Sequence, residues 1–236
     1  MLTADESREE ALLQTILQQS YPRRAVRDSL LWGQEGRFSV RSLYSKALSI
    51  KCSGTNVDRL ICAVWKKLAP PPQKVELMVW LALMGKLNTK DMLARKGMIT
   101  EDLSACTFCN EQNEDSHHLR VSYQVSWNIW KTIAADFGQA IEPCTDLKEF
   151  YGNWLRRRLP NKTARKLWIA SFFATIWSLW MHRNEIVFNQ QYLDEQMLGQ
   201  LIKWRVAFWS RAWDDHIPYS TEMLARNFHS IPLLFR

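Results

Sequence analysis

Glycine and proline are scarce, eight of each among 236 residues. With a hydrophobic content of 47%, that scarcity excludes a collagen-like or disordered chain and favours a folded, helix-rich one. No apolar run is long enough for a membrane span. The best candidate, Leu167 to Met181, covers 15 residues, against the roughly 20 that a bilayer requires. Ser171, Thr175 and Ser178 fall at i, i+4 and i+7 of that run and form one polar stripe, so a buried core helix is expected and no membrane partner. The opening Met-Leu-Thr-Ala-Asp-Glu lacks the basic and apolar regions of a signal peptide. The five cysteines are an odd number. The expectation is therefore an intracellular, reducing location, nucleus or cytoplasm alike, with thiols free or metal-bound.

Catalytic patterns are missing too. There is no glycine-rich phosphate loop, no Ser or Cys nucleophile with a convincing base, and no spread of four carboxylates on a strand-rich background. The adjacent acids Asp214 and Asp215 follow Trp213 at the end of an amphipathic helix, whereas a polymerase needs its pair in a hairpin. Neither an enzyme nor a small-molecule substrate is expected.

What is present is aromatic and basic. Most of the twelve tryptophans recur at helical spacing, which points to a core rather than to base stacking. The net charge of +7 and pI near 9.2 allow contact with RNA or DNA. The densest cluster is Arg156, Arg157 and Arg158 with Lys162, Arg165 and Lys166, a candidate phosphate-binding patch or a solvated helix end.

The hydrophobic period predicts helices along most of the chain. Acidic residues 5–10 lead into an amphipathic stretch ending at Pro22. A small β-hairpin is expected around Leu30 to Val40, then a helix with Val40, Leu43, Tyr44, Ala47 and Leu48 on one face. Asp58 starts a helix that Pro70-Pro71-Pro72 ends. Lys74 to Met84 reads as a central helix, and Asn88 or Thr89 caps a short one that Gly97 stops. Leu119, Tyr123, Trp127, Trp130 and Ala134 mark a single long helical face. Three further helices are expected over Leu147–Leu159, Thr163–Phe188 and Asp194–Trp213. The last has Leu198, Leu201, Ile202, Arg205, Phe208 and Trp209 facing inward. The tail after Ile217 is expected to pack loosely.

The most informative stretch is Cys106-Thr-Phe-Cys109, followed nine positions later by His118. Two thiols on a tight turn and an imidazole that closes on them make half of a zinc knuckle. No thiol or imidazole follows at Ser122, Tyr123 or Gln124. Tyr123 is a degenerate fourth position, because a neutral phenol binds zinc weakly. His117 is an alternative to His118 rather than an addition, since neighbouring helical residues point about 100° apart. Cys144 is a more remote candidate.

Around that stretch stand Trp32-Gly-Gln-Glu-Gly36-Arg-Phe38-Ser39-Val40, Val64-Trp65, Lys74-Val75 with Trp80, Gly85-Lys-Leu87-Asn88-Thr89-Lys-Asp91-Met-Leu93, and His118-Leu119 with Trp130. In this order they resemble the zinc-binding domain that follows the reverse transcriptase of plant non-LTR retrotransposons. The resemblance covers roughly Asp28 to Trp130. It continues more loosely through Ile176 to Phe188, similar to the linker that precedes an RNase H-like domain. The family has Cys at the position of Tyr123 and often His at that of Ser122. The resemblance implies zinc as cofactor, bound by Cys106, Cys109 and His118, and a place beside template RNA or target DNA.

These readings combine into a mainly α protein: a helical, zinc-knuckle-type domain with one small β-hairpin, then a Trp-rich helical segment. The expected division is an N-terminal helix and linker over 1–27, the zinc-binding domain over 28–138 and the helical segment over 139–236. The expected function is a non-catalytic accessory module derived from a retrotransposon polyprotein, binding zinc and nucleic acid. The alternative is a structural relic or a protein-interaction module.

Overall fold

The computed structural model describes residues 56–65, 69, 71–192, 194–213 and 217–234, together with Thr15. The expected hairpin, the helices before residue 50 and the Asp214-Asp215 pair lie outside these residues. Nine α-helices follow one another among the described residues: α1 Asn56–Ala63, α2 Gln73–Leu83, α3 Lys90–Arg95, α4 Gln124–Asp136, α5 Leu147–Arg156, α6 Lys162–Asn189, α7 Glu195–Trp209, α8 Thr221–Arg226 and α9 Ile231–Leu234. The only β pairing among them is an isolated antiparallel bridge, Ala105 to Asn113.

Local chemistry sets the boundaries. Thr89 accepts a hydrogen bond from the Met92 amide and caps α3. Asp146, Asn161, Asp194 and Ser220 do the same for α5, α6, α7 and α8. Gly97, at φ 67°, ends the α3 turn in the left-handed conformation that glycine adopts without steric cost.

The long helix α6 is the axis of the core. Ser171, Thr175 and Ser178 are buried, and each hydroxyl donates to the carbonyl four residues back, at 2.8, 2.8 and 2.6 Å. The polar stripe thus satisfies itself inside an apolar helix. Among the described residues no helix is long and apolar enough to cross a membrane.

Tryptophans join the elements. Trp154 of α5 and Trp168 of α6 stack with centroids 3.6 Å apart and planes 3° from parallel. Each indole N–H donates to the other's backbone carbonyl, at 2.9 and 2.8 Å. Trp130 of α4 meets Trp154 and Phe150 edge-on. Residues 138–146, where the sequence suggested a boundary, form a loop inside one compact unit, Ile50–Arg236. Side chains from both sides of that loop share a core.

Trp168→Ala should cost about 3–5 kcal/mol, because it opens a cavity and leaves the Trp154 carbonyl with only the Arg157 amide, at 3.3 Å, as donor. Trp168→Phe should cost less, about 1–3 kcal/mol, since it removes mainly the hydrogen bond. Urea midpoints of the two variants would separate packing from hydrogen bonding.

Three expectations require correction. The single helical face from Leu119 to Ala134 is interrupted: His118–Ser122 is a π turn, and Tyr123, at ψ 134°, is extended. On α7, Leu201 and Phe208 point to solvent, while Val206 and Ala207 join Leu198, Ile202 and Trp209 inside. The tail is not loose. Leu224, Ala225, Phe228 and Ile231 are buried, and Phe228 meets Phe137 edge-on at 5.4 Å. In addition, Cys62 is disulfide-bonded, contrary to the expectation for the thiols.

Candidate metal centre

The knuckle is built by a short loop between two anchors. The Cys106 amide donates to Gln112 O at 2.6 Å, and the Asn110 amide to Cys106 O at 2.8 Å. Asn110 takes the left-handed conformation, φ 57°, that a tight return needs. The Ala105–Asn113 bridge closes the base of the loop. Asp115 accepts from the His117 and His118 amides, both at 2.7 Å, and starts the turn that carries the imidazole.

Cys106, Cys109 and His118 converge, with their ligand atoms all within 4.8 Å of one another. Cys109 Sγ lies 3.4 Å from His118 Nε2. Tetrahedral zinc, with Zn–S near 2.3 Å and Zn–N near 2.0–2.1 Å, sets sulfur and nitrogen about 3.6 Å apart, so the spacing fits such an ion. The Phe108 amide points at Cys106 Sγ from 3.4 Å, a donor suited to a thiolate. Ser122 Oγ sits 3.5 Å from His118 Nδ1, on the side away from the cysteines, where an outer partner orients a ligating imidazole. Zinc would be held by these two sulfurs and Nε2 and would fix the loop.

Without a cation, burial pushes the Cys106 thiol up to about 11, with the nearby Cys109 adding to the effect against opposing backbone hydrogen bonds. Burial lowers His118 and favours the neutral imidazole that a metal requires. Metal uptake must therefore release thiol protons, and affinity should rise with pH.

Tyr123 closes the fourth side. The π turn ends with the Tyr123 amide donating to His118 O at 2.9 Å. The extended residue then swings its ring onto Phe108, centroids 5.4 Å apart, and His118, 5.9 Å. Its hydroxyl donates to Phe108 O at 3.4 Å. Burial, then the two cysteines, raise the phenol above its ordinary value and keep it neutral. Two carbonyls of the π turn gain side-chain donors: Ser126 Oγ serves Leu119 O at 2.8 Å, and Trp130 Nε1 serves Arg120 O at 2.6 Å. His117 is not in the cluster. Cys144 is not there either, and instead accepts from Asn153 Nδ2 at 3.1 Å.

A buried ion pair ties the knuckle to the core. Glu114, fully buried, accepts from the Lys90 amide, from Thr107 and from the Arg183 guanidinium at 2.7 Å. Burial alone would raise its pKa, but the hydrogen bonds from Arg183 and Thr107 outweigh it and hold the carboxyl below its ordinary value. Arg183 and Arg120 both lie over the Trp180 ring, at 5.3 and 5.1 Å. Glu114 lies five positions after Cys109 in the sequence. Arg183, 69 positions on, gave no signal there.

The basic cluster divides. Arg165 donates to the carbonyls of Leu155 and Arg157, at 3.1 and 2.9 Å, and so closes the C-terminus of α5. Lys166 packs over the Trp213 ring at 5.8 Å. Arg156 bonds to Gly152 O and to Asn153 but remains exposed, as do Arg158 and Lys162, and Arg157 is half-buried.

Because most helix lies in α4 to α7, whose aromatic core packs without the knuckle's ligands, metal removal should leave the helical circular dichroism nearly unchanged. Loss of most of the signal on chelation would show that the ion holds the whole fold.

The fold and site define a class: a mainly helical domain bearing, on a short loop, a Cys-Cys-His cluster that could hold a metal ion. Residues 38–130 match the model of the family described as zinc-binding in reverse transcriptase. Neither the curated proteins nor the solved structures gave a match.

Proposed function

We propose that the chain is a non-catalytic accessory module of retrotransposon origin that binds zinc and grips RNA or DNA through its phosphates. The observation that carries this reading is the convergence of Cys106, Cys109 and His118 within a stretch matching the reverse-transcriptase zinc-binding family. Zinc occupies a three-ligand site with Tyr123 at the mouth. The exposed Arg156, Arg158 and Lys162, beside Arg157, supply the phosphate-binding charge where α5 hands over to α6.

The test joins metal analysis of the purified protein to electrophoretic shifts titrated with salt. Replacing Arg156, Arg157 and Arg158 with Ala should weaken binding across sequences and flatten the salt slope by about one unit for each phosphate that is no longer neutralised. Unchanged affinity would remove this patch from the interface. One observation favours the second reading, a relic or interaction module: the fourth ligand position is filled by a neutral phenol that bonds to the loop's own backbone.

A further inference from the structure

The knuckle holds two thiols in a geometry that serves a second chemistry besides metal binding. Cys106 and Cys109 span one turn of helical size, closed by the Asn110 amide donating to Cys106 O at 2.8 Å. Positions i and i+3 of such a turn set their Cα atoms about 5 Å apart. That lies within the roughly 4.4–6.8 Å that a disulfide bridges. The two sulfurs are already within 4.8 Å of each other. They differ in access. Cys106 is fully buried, whereas Cys109 is half-buried and partly open to solvent. No other described cysteine has a free thiol for a neighbour: Cys144 Sγ accepts from Asn153 Nδ2, and Cys62 is already disulfide-bonded. The Tyr123 ring lies over the cluster where a further thiolate would complete it. A metal held by Cys106, Cys109 and His118 therefore keeps a single ligand once the two sulfurs are lost.

We propose that Cys106 and Cys109 form a dithiol that hydroperoxides oxidise to a disulfide, and that this bond excludes metal from the knuckle. Cys109, the accessible thiol, reacts first. Its sulfur attacks one peroxide oxygen. An S–O bond forms, the O–O bond breaks, and the departing oxygen leaves with the thiol proton as alcohol or water. The Cys106 sulfur then attacks the Cys109 sulfenic acid. An S–S bond forms, the S–O bond breaks, and the hydroxyl leaves with the Cys106 proton as water. The thiols lose two electrons and the peroxide gains them. From a zinc-bound pair the balance is the same, except that solvent supplies both protons and the ion is released, because the thiolate and not the disulfide is the ligand. A resolving thiol at this range consumes the sulfenic acid before a second oxidant molecule reaches it. The metal-free pair carries the same two sulfurs, so the oxidation does not depend on the zinc reading.

Titrating the full chain with hydrogen peroxide, zinc-loaded and metal-free, tests this. About one equivalent should remove two free thiols, lower the intact mass by two hydrogens and place Cys106 and Cys109 in one bridged peptide. In the zinc-loaded sample a chromophoric chelator should register the ion in step with the disulfide, and dithiothreitol should reverse both changes. A chain that takes up no zinc fails the metal reading and still answers this one through its mass and thiol count. Cys106→Ser should stop at a Cys109 sulfenic acid that dimedone traps. Cys109→Ser should lose the Cys106 thiol about tenfold more slowly than the wild type loses its pair, because burial denies the oxidant access. Far-UV circular dichroism of both variants should match the wild type, since the hydrophobic core packs without these two residues. Both thiols intact after about ten equivalents of peroxide would overturn the proposal. So would oxidation of Cys144 ahead of the pair, a Cys109 sulfinic acid with no bridge, or a Cys109→Ser variant oxidised as fast as the wild type.

Discussion

Tyr123→Cys should raise zinc affinity by more than about 100-fold, because outer-shell partners alone are worth 10–100-fold and a direct thiolate contributes more. The structure gives the reason to expect the gain. Tyr123 is turned away from the helical face that its spacing suggested and lies over the cluster, against His118 and Phe108. A cysteine there would complete a Cys-Cys-His-Cys set around an ion that three atoms already suit. Removing the phenol also frees Phe108 O from its 3.4 Å hydrogen bond, a minor loss in a half-buried position. Competition against a chromophoric chelator, wild type beside variant, measures the change. Equal and negligible affinity in both would mean that the loop does not hold Cys106, Cys109 and His118 at a common point in solution, and the relic reading would then stand.

The second large effect concerns the Glu114–Arg183 pair. Arg183→Met should destabilise the protein by about 3–5 kcal/mol, because it leaves a carboxylate buried without its counter-charge. Glu114→Gln should cost a similar amount by stranding the guanidinium. The double variant should recover a large part of the loss, since most of the penalty in each single variant is the unpaired charge rather than the missing bond. Denaturant midpoints for the four proteins give the coupling directly, and strict additivity would show that the pair does not interact in solution. The pH dependence has a definite sign. The Glu114 carboxyl sits below its ordinary value of 4.5 when folded. Its contribution is therefore complete above that pH and is lost as the pH falls through the folded value. Zinc affinity should drop in both single variants, because Glu114 orders the Thr107 turn between the two cysteines.

Much of the helical framework was legible because it rests on local chemistry. The Thr89 hydroxyl and the left-handed backbone that Gly97 can adopt bound α3, and α2 and α6 declare themselves as continuous apolar stretches. The metal cluster was legible for the same reason, since the two cysteines share one turn and the histidine returns after a short loop. What escaped depended on distant partners. The break at Tyr123 is stabilised by Ser126 and Trp130 donating back to the π turn, and nothing in a periodicity distinguishes a π turn from a continued α-helix. The phase of α7 was ambiguous because apolar residues occupy both of its sides, so spacing alone could not choose which faces the core. The tail misled because Leu224, Phe228 and Ile231 are spread over short elements, which find their places only against distant ones: α8 packs on α7, and Phe228 meets Phe137 of the turn after α4.

Helix α6 carries Trp168 near its start and Arg183 near its end, roughly 22 Å apart at 1.5 Å per residue. One rod thus terminates in two different cores, the aromatic stack and the knuckle. Its interior hydroxyls are already bonded to its own carbonyls, so it gains nothing by bending to satisfy them elsewhere. The knuckle is consequently denied the independent opening expected of a small metal-binding loop. While Arg183 holds Glu114, the loop cannot separate as its own cooperative unit without disturbing the rod, and local unfolding at the cysteines is coupled to the free energy of the whole domain.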